Sequence, residues 1–361
     1  MNASLIPLNE GCAWRTYLGG KCIRQLHGVA NAQDDHFPEE WLMSVVTARN
    51  PGREAICEGL SRTADGDSLK ARIEADPEGM LGRAFAARFG ATPGVLVKLL
   101  DAAERLTIQV HPTAEQAQRL FHSPFGKTEC WHILGTRPMD GAEACIYFGF
   151  RPGVSRARWR DCFDRQDIPA MLDCLHRFPV RPGDTWLIEG GIPHAIGAGC
   201  FLAEIQEPTD YTIRTERVTP SGLAVADESC HQGLGFDRMF DCFDYSGRSE
   251  EETRARSFIV PKTTEEPGGV LSELVGYDRT RCFRMMQYEV TREMTVPSDG
   301  VFCGLYVLSG AGCIGDFTVH PGSSFFVPAS HASFALRNTG SAPLRVLRCF
   351  GPKPEGSDHT N

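Results

Sequence analysis

Apolar residues recur at spacings of three and four between Leu69 and Phe85 (Leu69, Ile73, Leu81, Phe85), which predicts a helix over 69–87 that Pro77 interrupts. The next stretch, PGVLVKLLDAAER at 93–105, reads as a second helix opening at Pro93 and Gly94. Its VLVKLL centre fits a buried strand equally well, and length does not separate the two. From residue 106 the period drops to two. LTIQVHP sets Thr107, Gln109 and His111 on one face and Leu106, Ile108 and Val110 on the other. ECWHILG and ACIYFGF follow as short strands rich in β-branched and aromatic residues. A helical pattern returns over 153–178. Strands resume with DTWLIEGG, CFLAEIQ and YTIRTER, and beyond about residue 255 short strands alternate with Gly/Pro turns.

Two segments echo one another. PGDTWLIEGGIPHAI (182–196) and PGSSFFVPASHASF (321–334) each run Pro-Gly, hydrophobic strand, tight turn, histidine. The echo predicts a mainly β chain with added helices, built from two cupin-like (jelly-roll) β-barrels whose mouths hold ligands. The expected division is a catalytic barrel at 1–250, with helical segments at about 69–105 and 153–178, and a second barrel at 251–361. The second copy has no upstream Gln-x-His, so it is read as a barrel without metal, and His331 as a packing residue.

Composition narrows the function. Of 361 residues, 42% are hydrophobic and 23% charged, as in an ordinary globular protein. With 46 acidic against 37 basic residues, the net charge of -9 argues against a nucleic-acid partner but allows a small anionic substrate bound by local cations. The 14 cysteines form no C-x-x-C pair and are read as reduced thiols of a cytoplasmic protein. The opening residues lack a signal-peptide pattern and no apolar stretch reaches about 18 residues, so no membrane partner is expected. The tail GPKPEGSDHTN reads as disordered.

Three elements carry candidate chemistry. Gln109 and His111, two apart on a strand, can approach one ion. Lys127 and Glu129 share a face where a hydrophobic strand begins. His194 is fixed by the turn of Gly190, Gly191 and Pro193. One amide oxygen, two imidazoles and a carboxylate suit Zn2+ or another divalent first-row metal.

In order and spacing these motifs resemble the type I phosphomannose isomerase family. The carriers are LVKLLDAAERL (96–106), LTIQVHP (106–112), GKTECW (126–131), GGIPHAI (190–196) and EIQEPTDYTIR (204–214), with GG at 19–20 and EEWLMS at 39–44 upstream. The resemblance implies one zinc per chain on Gln109, His111, Glu129 and His194. It implies substrate contacts from Lys98, Thr107, Lys127 and Arg214, and catalytic roles for Arg214, Lys127 and Glu204. The implied reaction interconverts mannose 6-phosphate and fructose 6-phosphate through an enediol. It needs stabilised oxyanion charge and a base, for which Glu204 and a metal-bound hydroxide are both candidates. Alternatives are an isomerase of another sugar phosphate on the same barrel and a non-catalytic metal-binding cupin that binds sugars. The expected partner is a small-molecule sugar phosphate, and the expected state a monomer or weak dimer. Two departures from the family pattern stand out: Thr113 after Q-x-H-P, and Thr215-Glu216-Arg217 after Arg214, where Glu216 adds negative charge near the expected phosphate. Glu207 and Asp210 are candidate ion-pair partners of Arg214.

Overall fold

The computed structural model describes residues 4–50 and 52–354. The chain is mostly β. Its strands form four sheets, and among the described residues none closes on itself. The expected barrels are therefore open two-sheet sandwiches.

The first sandwich pairs a seven-stranded sheet with a five-stranded one. The larger runs Phe258–Ile259, Thr185–Ile188, Glu129–Thr136, Cys200–Gln206, Leu96–Asp101, Glu39–Leu42, Cys12–Ala13. The smaller runs Ile213–Arg214, Gln109–Val110, His194–Ile196, Cys145–Phe150, Leu175–Pro179. Trp131, Trp186 and Leu202 of the large sheet meet Ile146, Phe148 and Ile196 of the small one. The second sandwich packs a seven-stranded sheet, centred on Cys303–Ser309 and Leu344–Phe350, against a four-stranded one.

The two large sheets also pack back to back. Val97, Leu99, Cys130, Ala203 and Ile205 meet Met285, Tyr306, Phe326 and Leu347 across that interface. The inner large sheet is thus buried on both faces, which explains a departure from the expected helix at 93–105. The span Leu96–Asp101 is a strand, every residue of it buried, between Glu39–Leu42 and Cys200–Gln206. A strand covered on both sides reads as a continuous apolar run instead of an alternation, so its period could not separate it from a helix.

The helix expected over 69–87 is three short ones. Ser68 caps Leu69–Ala75, Asp76 caps Pro77–Leu81 with the proline in the first turn, and Arg83–Phe89 follows Gly82, whose φ of 96° breaks the run. The pattern over 153–178 resolves into Arg156–Arg165 and Ile168–Asp173, and its end is strand Leu175–Pro179, paired with Cys145–Phe150. Both helices cover the outer face of the small sheet through Trp159, Phe163 and Met171. All 14 cysteines are free thiols. The tail from residue 355 lies outside the described residues.

A polar pin crosses the interface between the sandwiches. Alternation along Glu39–Leu42 turns Glu39 to one face and Glu40 to the other. The buried Glu40 accepts hydrogen bonds from Tyr306 Oη of the second sandwich at 2.8 Å and His27 Nε2 at 2.9 Å, and Glu10 lies 3.1 Å from His27 Nδ1. Burial alone would lower the His27 pKa, but the hydrogen bond and charge of Glu40, with the charge of Glu10, outweigh it and raise it above 6.5. A raised imidazolium stabilises the fold most below its ordinary value, and that contribution is lost as pH rises through the folded value. His27→Gln is therefore expected to lower the melting temperature below about pH 6, with the deficit shrinking toward pH 9. Thermal melts of both proteins across that range check it, and a deficit that grows with pH contradicts it.

Candidate metal centre and substrate recess

The site lies between the two sheets of the first sandwich, and strand pairing sets its layout. On the large sheet Lys98 stands directly opposite Glu204, Glu204 opposite Trp131, and Trp41 opposite Lys98. These side chains make a row across four strands, facing the small sheet. The next rung pairs Gln206 with Glu129. Small-sheet pairing brings Gln109 opposite both His194 and Arg214. Residues far apart in sequence are side by side because each occupies an inward position of a paired strand.

His111, Glu129 and His194 converge, with their ligand atoms all within 4.8 Å of one another and all three residues buried. His111 Nε2 is 3.1 Å from Glu129 Oε1, and Gln109 Nε2 is 3.4 Å from His194 Nε2. Each imidazole is oriented from behind. His111 Nδ1 donates to the Tyr211 carbonyl at 2.8 Å, and His194 Nδ1 donates to the Ile192 carbonyl at 2.9 Å. Both Nε2 lone pairs therefore point at the centre, the arrangement a metal ligand requires.

The electrostatics agree. Burial, then His111, drives the His194 pKa down to about 3, so this imidazole is neutral at physiological pH. Burial and the Lys127 charge lower His111 as well. Burial works against the Glu129 carboxylate, but Lys127 at 3.0 Å and the two histidines overcome it and hold it well below the ordinary range. Glu129 Oε2 is buried without a hydrogen-bond partner, a costly arrangement in a dry interior unless a cation meets it. Two neutral imidazoles and a carboxylate with an orphaned oxygen fit a divalent first-row cation, with the Gln109 amide beside them.

A recess of about 50 Å³ opens beside this cluster, lined by Lys98, Thr107, Gln109, Lys127, Glu129, Glu204 and Arg214. It widens into an outer cleft of about 910 Å³. Seven of the nine residues read from the motifs thus line one recess, and His111 and His194 stand behind it, against Glu129 and Gln109.

Sequence reading missed a second set of groups here. Arg15, Tyr17, Glu39 and Arg105 also line the recess, beside Asp210. Glu39 accepts from Tyr17 Oη and Trp41 Nε1 at 2.7 Å and from Arg15 Nε at 3.0 Å. Despite burial, Arg15 and Lys98 pull its pKa down to about 2. The Glu-x-Trp spacing at 39–41 signals two inward positions of one strand; no comparable signal marks Arg15. Two expectations about ion pairs change. Glu216 does not face the recess with a bare charge, because Arg105 grips it at 2.6 and 2.8 Å and the Ile108 amide donates to it at 2.6 Å. Asp210 pairs with Arg15, and Glu207 accepts from the amides of Gly126 and Thr128.

Glu204 differs from its neighbours. Burial, then the Glu129 charge, raises its pKa, with Lys98 at 2.9 Å pulling the other way. Trp131 Nε1 donates to one of its oxygens at 3.0 Å. Of the five cations lining the recess, Arg214 alone has no carboxylate partner among the described residues. It donates to the carbonyls of Thr212 and Ser229.

His194→Ala removes one imidazole and is expected to cut zinc retained after dialysis from one ion per chain to well below half. Arg214→Ala is expected to leave metal content intact. Metal analysis of both purified variants checks this, and loss of metal from the arginine variant alone contradicts the assignment.

Comparison with known proteins agrees with this geometry. Residues 53–125 match the family described as phosphomannose isomerase type I, catalytic domain. GmuF of Bacillus subtilis, named a probable mannose-6-phosphate isomerase, is 25% identical over 249 residues, 68% of this chain and 72% of that protein. The crystal structure of the mannose 6-phosphate isomerase from Bacillus subtilis superposes with a TM-score of 0.73 at 22% identity, over 96% of this chain and 99% of that one. A mannose 6-phosphate isomerase solved with zinc and yttrium superposes at 0.71 and 17% identity, over 97% and 100% of the two chains. The ordered motifs, the buried His-Glu-His cluster and these likenesses agree: the chain is similar to type I phosphomannose isomerases, in sequence over part of its length and in fold over nearly all of it.

Proposed function

We propose that this protein is a zinc-dependent aldose–ketose isomerase that interconverts mannose 6-phosphate and fructose 6-phosphate. The observation that carries this reading is the placing of a pKa-raised carboxylate, Glu204, against Lys98 on the strand row beside the His-Glu-His cluster. His111, Glu129 and His194, with Gln109, would hold the ion, and zinc bound there would supply Lewis acidity where negative charge builds on oxygen. We assign the catalytic unit to residues 1–250 and a companion jelly-roll to 251–361.

The protein's own groups then divide the work. Glu204 takes the proton from C2, and the electron pair left behind forms the C1–C2 double bond as the C1–O1 π pair moves onto O1, giving an enediol once O1 is protonated. The proton on O2 then leaves as the C2–O2 π bond forms, and the C1–C2 π pair takes the proton back from Glu204 at C1. With one proton gained at O1 and one lost at O2, no proton is gained or lost overall. A carboxylate with a raised pKa suits both halves of this transfer. Lys98 keeps its charge beside Glu204 and Glu39 and offsets negative charge on the enediol. Lys127 stands 3.0 Å from Glu129 and faces the same oxygens. Arg214, lacking a carboxylate partner, keeps its fork for the substrate's anionic group. Thr107 offers a hydroxyl at the same wall.

The carboxylate's role has a direct test. Glu204→Gln keeps the shape and removes the base. It is expected to lower kcat by about a hundredfold or more with zinc content unchanged, and to abolish exchange of the C2 hydrogen with deuterated water. Exchange at the normal rate in this variant contradicts the assignment of Glu204.

A further inference from the structure

The recess and the outer cleft meet at a neck. Four residues line both spaces: Arg15, Thr16, Asp210 and Arg214. Two arginines from distant parts of the chain therefore stand where the inner chamber opens. Arg214 has no ion-pair partner among the described residues. Arg15 is buried, with 7% of its surface exposed, and its guanidinium lies 5.1 Å over the Trp41 ring.

The contacts of Arg15 are of two kinds. Its Nε donates to Glu39 at 3.0 Å, a firm anchor. Its two terminal nitrogens reach Asp210 at 3.3 and 3.4 Å, long for a charge-assisted pair. Arg105 on Glu216, at 2.6 and 2.8 Å, shows the tight form in the same recess. Asp210 does not depend on Arg15 alone, since the Arg49 amide also donates to it at 3.0 Å. The outward fork of Arg15 can thus exchange a loosely held carboxylate for the oxygens of a phosphate, while the Glu39 anchor stays.

The substrate's own shape says which end reaches this neck. Its reacting carbons, C1 and C2, belong at the metal cluster and Glu204. Its phosphate, on C6, is at the other end of the carbon chain and must lie toward the mouth. Lys98 and Lys127 are drawn to the reaction end by Glu204 at 2.9 Å and Glu129 at 3.0 Å. We propose that Arg15 is a second phosphate-binding residue, gripping the substrate's phosphate together with Arg214 where the recess opens into the outer cleft. This inference rests on the sugar-phosphate reading above. A planar fork on each side of the neck suits bidentate contact with a phosphate, and the Trp41 ring and Glu39 hold one fork ready in place.

The test uses the zinc-loaded full chain. Replacing the Arg15–Asp210 pair by a neutral pair, R15Q/D210N, avoids stranding a buried charge beside the neck. It is expected to raise KM for mannose 6-phosphate about tenfold or more with kcat changed by less than about threefold. Competitive inhibition by inorganic phosphate should weaken by a similar factor. R15K, which keeps the charge and loses the fork, should move both quantities in the same direction by less, and serves if the double variant does not fold. Unchanged KM and unchanged phosphate inhibition in a variant that retains zinc overturn the proposal. If the wild type does not turn over the substrate at all, calorimetric binding of inorganic phosphate still reads Arg15. Weaker binding to R15K would support the residue while the isomerase reading failed, and equal binding would overturn the residue itself.

Discussion

Buried charge is the constraint on which the rest of this structure depends. Glu129, Glu204 and Glu39 are withdrawn from water at the centre of one sandwich, and each is met by a lysine, arginine or histidine within reach. Removing one partner from such a pair typically costs about 3–5 kcal/mol, because an uncompensated charge is left in a dry interior. Stability alone does not call for this arrangement, since an apolar core of equal volume would serve as well or better. What it provides is a set of groups whose charges are fixed before substrate arrives, and one carboxylate, Glu204, whose charge is the least well supported of the row.

The architecture makes that possible by burying one sheet twice. The large catalytic sheet faces its partner sheet on one side and the second sandwich on the other. Alternation sends Val97, Leu99, Ala203 and Ile205 into the apolar interface between the sandwiches and Lys98 and Glu204 into the recess. The second sandwich thus supplies a rigid apolar backing, with Tyr306 pinned to Glu40 one residue from the recess-facing Glu39. A site on strands backed in this way keeps its geometry better than one carried on loops.

Much of the site was legible in the sequence. Gln109, His111, Glu129 and His194 converge because strand period and tight turns are local rules, and Thr107, Gln109 and His111 lie on one side just as alternation requires. The strand at 96–101 was not resolved from a helix, because burial on both faces erases the alternation that marks a strand. The open edges of the sheets were not legible either, since barrel closure depends on pairing between distant segments. The charge partners were the least legible part. The charge of Glu216 is gripped by Arg105, 111 residues away in sequence, and Asp210 pairs with Arg15, 195 residues away. Long-range pairing of this kind leaves no periodic trace in one chain.

In the proposed function, metal and carboxylate act in one recess on one reaction. The most direct measurement is turnover of mannose 6-phosphate to fructose 6-phosphate by the purified protein, before chelation, after chelation, and after zinc is returned. The expected result is activity that chelation removes and zinc restores, in step with one bound ion per chain. Full activity in metal-free protein, or none in protein that holds stoichiometric zinc, would contradict it.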